Sequence, residues 1–527
     1  TTLGKLGQLY YALKDYPKAT DYLQQGLKLI REIGDRRVEA KILNTLGRVY
    51  LQSGKPTTAE TTLRDTIKVW ESIRADLGSN DINKISIFEE QAATYRLLQT
   101  SLIAQNKINE ALEITERGRA RAFVELLFAK LAPQSQVQPP NIKQIQQIAK
   151  QHNATLVEYS IVYDDLKVPV PVKAKESKLL IWVIKPTGEI GFRQVDFKDV
   201  LRPNTALADL VVNNRRELGV RGRGSSEASS NSTSEENSPT SKSQQLHKLL
   251  IQPIADLLPK DPNARVVFIP QESLFLVPFA ALQDSAGKYL IEKHTILTSP
   301  AIQVLDLTRQ QRQRISGKNT LVVGNPTMPS IPSNAGDRDE QLVSLPGAEE
   351  EALSIAQLLK TNALIGKEAT KSTILQQLPQ ARIVHLATHG LLDDFTGLGI
   401  PGAIALAPNP NSTEKFNGLL TSSEIVNLKL NAELAVLSAC DTGRGRITGD
   451  GVVGLSRSLI SAGVPSVVVS LWSIPDAPTS SLMTEFYKQM QQKPDKAQAL
   501  RQAMLTTMKK YPHPSDWAAF TLVGEAE

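Results

Sequence analysis

Along the first 130 residues apolar positions recur with a helical period, and no stretch alternates as a strand would. The pattern also repeats. LGQLYYALKDYPKATDYLQQGL places Leu6, Gly7, Tyr10, Ala19 and Leu23, and LGRVYLQSGKPTTAETTLRDTI places Leu46, Gly47, Tyr50, Ala59 and Leu63 at the same offsets after a shift of 40. A weaker third copy puts Ala111 where Ala19 and Ala59 stand. Small residues at fixed places let paired helices approach closely, so the pattern predicts stacked helix pairs with a concave face. A plain helical bundle is the competing reading.

From Ala154 the period changes to two. TLVEYSIVYDD and KLLIWVIKPTGEIGFRQVDF read as strands, the latter broken by a Pro-Thr-Gly turn. Residues 219–245 are rich in Ser, Asn and Glu and nearly free of large apolar side chains, so they are expected to stay disordered and open to nicking. After Leu246 short apolar runs (ARVVFIP, NTLVVGNP, ALIG, ARIVHLATHG, AELAVLSACD, SVVVSLW) are separated by helical segments. Such runs between helices predict a parallel sheet covered on both faces. The expected organisation is a repeat domain over 1–130, a helical connector with the first strands over 131–218, the Ser-rich loop over 219–245 and a final α/β domain over 246–527.

Composition narrows the function. Apolar content of 41% with 22% charged residues is ordinary for a globular chain. The net charge of +6 is thin over 527 residues, and no basic run interleaves with aromatics, so no nucleic-acid partner is expected. A single cysteine excludes an internal disulfide framework and a multi-cysteine zinc site, and it suits a reducing cytoplasm. No apolar run approaches the roughly 20 residues that span a bilayer. The chain opens inside a helical pattern without a methionine, which reads as a fragment.

That single cysteine carries the candidate chemistry. RIVHLATHG ends at His389 and Gly390, and AVLSAC ends at Cys440. In an open α/β sheet ligands gather at the carboxyl ends of the strands. If the two strands are neighbours, imidazole and thiol emerge about 4.8 Å apart. The separation of 51 residues matches the caspase-type spacing of about 50. A thiol needs a base to become a nucleophile, and an imidazole can take that proton and return it to a leaving amine. The backbone N–H groups of Gly390 and Cys440 are the candidate oxyanion donors. The competing fate of Cys440 is a small buried hydrophobe. His385 and His389 form H-x-x-x-H, but on a strand they lie about 13 Å apart and cannot share a metal ion. His385 therefore reads as a buried, hydrogen-bonded strand residue, and neither metal nor cofactor is expected. CDTGRGR also has the C-x5-R spacing of a phosphatase loop. Against it stand Ile447 after Arg446, the negative charge of Asp441, and a delayed helix start.

Two family resemblances follow from these motifs. The repeated L-G-x-x-Y with a small residue on the next helix resembles the tetratricopeptide repeat. Residues from about Leu246 to Val523 resemble the CHAT domain, a caspase- and separase-like peptidase domain, through VPFAAL, LPGAEEEA, HLATHG, NGLLTSSEI, LSACDTGRG, GLSRSLISAGVPSVVVSLWSIPDAPTSSLMTEFY and WAAFTLVG. The resemblance implies an α/β caspase-like sheet covered by helices, preceded by the all-α repeats. It also implies a His389/Cys440 dyad and cleavage of a protein or peptide partner. It further implies a degenerate first half, expected over Ala154–Thr327.

Asp476, after the strand that follows the cysteine strand, matches an acid that lines the pocket for a basic side chain in separase-like relatives. This implies cleavage after Arg or Lys, with Asp441 and Asp450 as competing pocket acids. The alternative for Asp476 is a role at the start of the next helix. For the whole chain the alternatives are a non-catalytic scaffold and, at a distance, the phosphatase. In either leading reading the repeat face is expected to recruit a substrate or a protein regulator.

Overall fold

One contact, made twice, builds the first two helix pairs. The computed structural model describes residues 2–76, 81–132, 137–164, 175–201, 205–220, 241–331, 340–392, 394, 401–413, 416–439, 446–448, 451–473 and 475–527, without the side chains of 81–90, 340, 446–448 and 451–453. Helices α1 (Thr2–Ala12) and α2 (Tyr16–Ile33) form the first pair, α3 (Arg36–Gln52) and α4 (Pro56–Ala75) the second, and α5 (Asp81–Ala104) and α6 (Ile108–Arg117) the third. A Cβ on Gly7 would lie 2.4 Å from Leu23 Cγ, and one on Gly47 would lie 2.5 Å from Leu63 Cγ. Only glycine lets these helices meet. Ala19, Ala59 and Ala111 are fully buried at the equivalent places of α2, α4 and α6.

The third pair departs from the rule in an informative way. Gln99 and Thr115 stand where the glycine and leucine stood, with the same separation of 16 residues, and they hydrogen-bond each other. Gln99 Oε1 also accepts the Ser160 hydroxyl at 3.0 Å. This pair is thus both a repeat and an attachment to the sheet. Gly47→Val is expected to cost about 1–3 kcal/mol through overpacking. The measurement is a lower urea midpoint for loss of helical circular dichroism, and an unchanged midpoint would contradict the close packing.

Eleven strands form one continuous sheet: β1 (Ala154–Tyr163), β2 (Glu176–Ile184), β3 (Ile190–Asp196), β4 (Arg265–Ile269), β5 (Thr295–Thr298), β6 (Asn319–Pro326), β7 (Ala363–Gly366), β8 (Ala381–Ala387), β9 (Leu434–Ser438), β10 (Ser466–Ser470) and β11 (Phe520–Gly524). Their spatial order is β3-β2-β1-β4-β5-β11-β10-β9-β8-β6-β7. Strand β11 pairs antiparallel with β10 and parallel with β5. The parallel set β10-β9-β8-β6-β7 therefore runs opposite to β1, β4 and β5. The set β10-β9-β8-β6-β7 is parallel throughout, whereas the other half is mixed, with β2 antiparallel to both β1 and β3.

The expected limit of the first half, Ala154–Thr327, needs correction. Strand β6 lies between β8 and β7, parallel to both, so the first half ends before Asn319. Its strands β4 and β5 come from the segment after Leu246. Burial on both faces explains the uninterrupted apolar runs. In β9, Leu434 and Val436 enter one core while Ala435 and Leu437 enter the other. Helices α9 (Pro346–Leu359) and α11 (Asp476–Gln492) cover the first face. Helices α7 (Arg121–Leu131), α8 (Ile302–Arg312) and α10 (Leu455–Ala462) cover the second. Helix α7 follows the repeats directly but packs against α8 and α10, so it belongs in part to the sheet layer.

A buried charge cluster fastens the repeats to the sheet. Arg119, just after α6, donates to Glu158 Oε1 on β1 at 3.1 Å, to the Pro270 carbonyl at 2.6 Å and to the Tyr159 carbonyl. Glu116, in the last turn of α6, accepts the Gln303 N–H of α8 at 2.7 Å. Glu116 and Glu158 lie close enough to influence each other, and burial raises both carboxyls. Their Oε2 atoms have no hydrogen-bond partner, a need that a proton held between the two carboxyls would meet. Burial pushes the Glu158 carboxyl up to about 8 against the pull of Arg119.

Candidate active site

Strands β8 and β9 are parallel neighbours, in register from Ile383↔Leu434 to Ala387↔Ser438. Both stop two residues short of the reactive groups named from the sequence. His389 follows Ala387 by two positions, and Cys440 follows Ser438 by two. Cys440, Asp441 and Asp450 lie outside the described residues.

His389 is half-buried, and its Nε2 lies 2.7 Å from the Val343 carbonyl oxygen. A carbonyl only accepts, so Nε2 carries the proton and donates. That leaves Nδ1 as the nitrogen able to take a proton in the neutral ring. Sequence reasoning missed Val343, because a backbone carbonyl has no side-chain signature. The apolar side chain of Val343 is left 74% exposed.

Gly390 opposes Ile404 in a small antiparallel pairing of Gly390–Leu391 with Ala403–Ala405. The Ala405 N–H donates to the His389 carbonyl at 3.0 Å. That bond marks Gly390↔Ile404 as the wide, non-hydrogen-bonded pair, so the Gly390 N–H points away from this sheet.

Asp476 is exposed and opens α11. A Cβ on Gly347, at the start of α9, would lie 2.2 Å from Asp476 Cβ. The glycine therefore lets the two helix starts touch. A carboxylate in a first helical turn also faces the positive end of the helix dipole. Asp476, Glu350, Ser480, Lys488 and Tyr511 border an open groove of about 650 Å³. His389 is not among its lining residues.

The CHAT domain profile matches residues 240–525, and a tetratricopeptide repeat profile matches residues 1–72. The chain belongs to the CHAT-domain family. Its fold is an α/β sheet covered by helices, preceded by all-α tetratricopeptide repeats. Tetratricopeptide repeat protein 28 of Mus musculus is 27% identical over 93% of the chain, and the chain spans about a quarter of that relative, 25% of its length. The separase–securin complex of Saccharomyces cerevisiae aligns over 99% of the chain and 46% of the matched chain at 11% identity, with a TM-score of 0.45. The Arg-specific cysteine proteinase gingipain R aligns over 54% of the chain and 67% of its own length at 12% identity, with a TM-score of 0.34.

Within the CHAT domain His385 sits apart from His389. It is fully buried on the face of β8 under α9 and α11. Its Nδ1 lies 3.2 Å from the Tyr487 hydroxyl. Its Nε2 lies 3.1 Å from Glu351 Oε1, close enough for an ion pair but without hydrogen-bond alignment. Among the described residues no cluster of His, Cys, Asp or Glu is placed to hold a metal ion, and no helix is long and apolar enough to cross a membrane. Arg446 opens a short hairpin, Arg446–Thr448 with Gly451–Val453, and α10 starts only at Leu455. A phosphate held by the C-x5-R segment would lack an adjoining helix N-terminus.

Proposed function

We propose that this chain is a cysteine endopeptidase acting through His389 and Cys440. Strand register carries the reading: paired β8 and β9 end level with each other, and the imidazole and the lone thiol each follow two residues on. His389 Nδ1 takes the thiol proton, and the thiolate attacks the scissile carbonyl carbon. The oxyanion that forms is held by the N–H groups of Gly390 and Cys440. The imidazolium returns the proton to the leaving amine. Water then hydrolyses the thioester with the same imidazole as base. No metal or organic cofactor enters these steps.

Asp476 is the leading acid for recognising Arg or Lys before the scissile bond, with Asp441 and Asp450 as its rivals. The repeats recruit the substrate or a protein regulator. One physical link supports control from that side. Arg96 of α5 pairs with Glu272 Oε1 at 2.7 Å. The backbone of the turn Glu272–Leu276 lies beside the hairpin strands Arg446–Thr448 and Gly451–Val453 that follow Cys440. A lone thiol nucleophile suits the reducing cytoplasm.

A peptidyl electrophile ending in Arg tests the reading. It is expected to label the wild type, and a Cys440→Ala variant is expected to stay unlabelled. An Ala-ended analogue is expected to label more slowly. Absence of labelling with repeat-binding partners present would favour the non-catalytic scaffold. Faster labelling by the Ala-ended probe would refute the preference for Arg or Lys, whichever acid carries it, and leave the dyad standing.

A further inference from the structure

We infer that Asn325 is a positioning residue for His389, acting through the carbonyl of Val343. Its catalytic consequence rests on the peptidase reading, whereas its effect on the ring does not. Asn325 follows Gly324, and Gly324 pairs with Ala387 of β8. The residue thus stands beside the strand end that leads to His389. Its backbone lies in the left-handed region at φ +42, which Asn tolerates better than most residues other than glycine.

From that position its side chain ties down the segment in front of α9. Oδ1 accepts the Leu345 N–H at 2.7 Å and the Ser344 hydroxyl at 3.1 Å. Nδ2 donates to Glu349 Oε2 at 3.0 Å. On the other side, the Leu342 N–H donates to the Pro329 carbonyl at 3.2 Å. Val343 hangs between these two anchors. Its side chain is exposed and contributes little packing, so hydrogen bonds to its neighbours set where its carbonyl points. That carbonyl receives His389 Nε2–H. The chain of causes runs from an amide on β6, through three backbone positions, to the protonated nitrogen of the ring.

The proposal distinguishes deletion of the side chain from strain of the backbone. Asn325→Gly keeps the left-handed turn without steric cost and removes all three hydrogen bonds. Its kcat is expected to fall by about 10–100-fold with KM nearly unchanged, because a misplaced base lowers the rate more than it lowers binding. Asn325→Asp keeps the acceptor but sets two carboxylates face to face with Glu349. Adding Glu349→Gln restores the bond with its polarity reversed. The double variant is expected to recover most of the lost rate.

Nitrogen-15 spectra of the histidine rings, with His389→Ala used for assignment, read the ring itself. The wild type is expected to show His389 protonated on Nε2. Asn325→Gly is expected to show a mixture of tautomers, and the double variant is expected to regain the wild-type pattern. Unchanged His389 signals in a folded Asn325→Gly protein would overturn the proposal, whatever the activity. Shifted signals in a protein that cleaves nothing, before or after substitution, would uphold the positioning role and refute the peptidase reading.

Discussion

Replacing His389 with alanine is expected to lower peptide-bond cleavage by about 10²–10⁴-fold, the usual contribution of a positioned general acid–base. The ring is asked to do two jobs, removing the thiol proton and returning it to the leaving amine, so the loss belongs in kcat more than in KM. The chain offers an unusually direct check, because it has one cysteine. Alkylation by iodoacetamide at neutral pH therefore reports on Cys440 alone. It is expected to be slower in His389→Ala than in the wild type, since the thiolate is the reacting species. Equal alkylation rates, together with equal turnover, would rule out a dyad. Equal alkylation with lost turnover would confine the imidazole to protonating the leaving group.

The second large effect lies away from the chemistry. Arg119→Met is expected to destabilise the protein by about 3–5 kcal/mol, because removing one partner of a buried ionic cluster leaves the others uncompensated. Urea unfolding at pH 7 measures it, and a change under 1 kcal/mol would mean that the Glu116–Glu158 proton already neutralises the site. The same cluster predicts a pH dependence with a definite sign. Glu158 moves from an ordinary value of 4.5 to about 8 on burial, so the folded state keeps a proton that the unfolded chain has released. The associated stability is complete below about pH 4.5 and is lost progressively as pH rises toward about 8. Glu158→Gln is expected to remove that slope. A variant that parallels the wild type from pH 5 to 8 would contradict the shared proton.

The repeats were legible because glycine and leucine recur 16 residues apart at two places and do the same steric work at both. The third pair was only half legible, through Ala111. Polar Gln99 and Thr115 had replaced the signature, and their third partner, Ser160, lies in another domain. The parallel half, β10-β9-β8-β6-β7, was legible from buried apolar runs. The limit between the halves was not, because an apolar run says that a strand is covered without saying which strand lies beside it. The apolar run of β6 therefore suits either half, and its pairing with β8 and β7 decides between them. His385 and His389 share one strand face by period, and their difference comes from where β8 ends. Val343 acts through its backbone and Asn325 through the segment before α9, so neither forms a motif.

The Gln99–Thr115 substitution places two demands on the same side chains. A consensus rewrite, glycine at 99 and leucine at 115, would improve the helix pair and strip the Ser160 hydroxyl of its acceptor. Idealising this unit would loosen its mooring. A designer lengthening such an array would do better to insert units upstream and leave this one idiosyncratic.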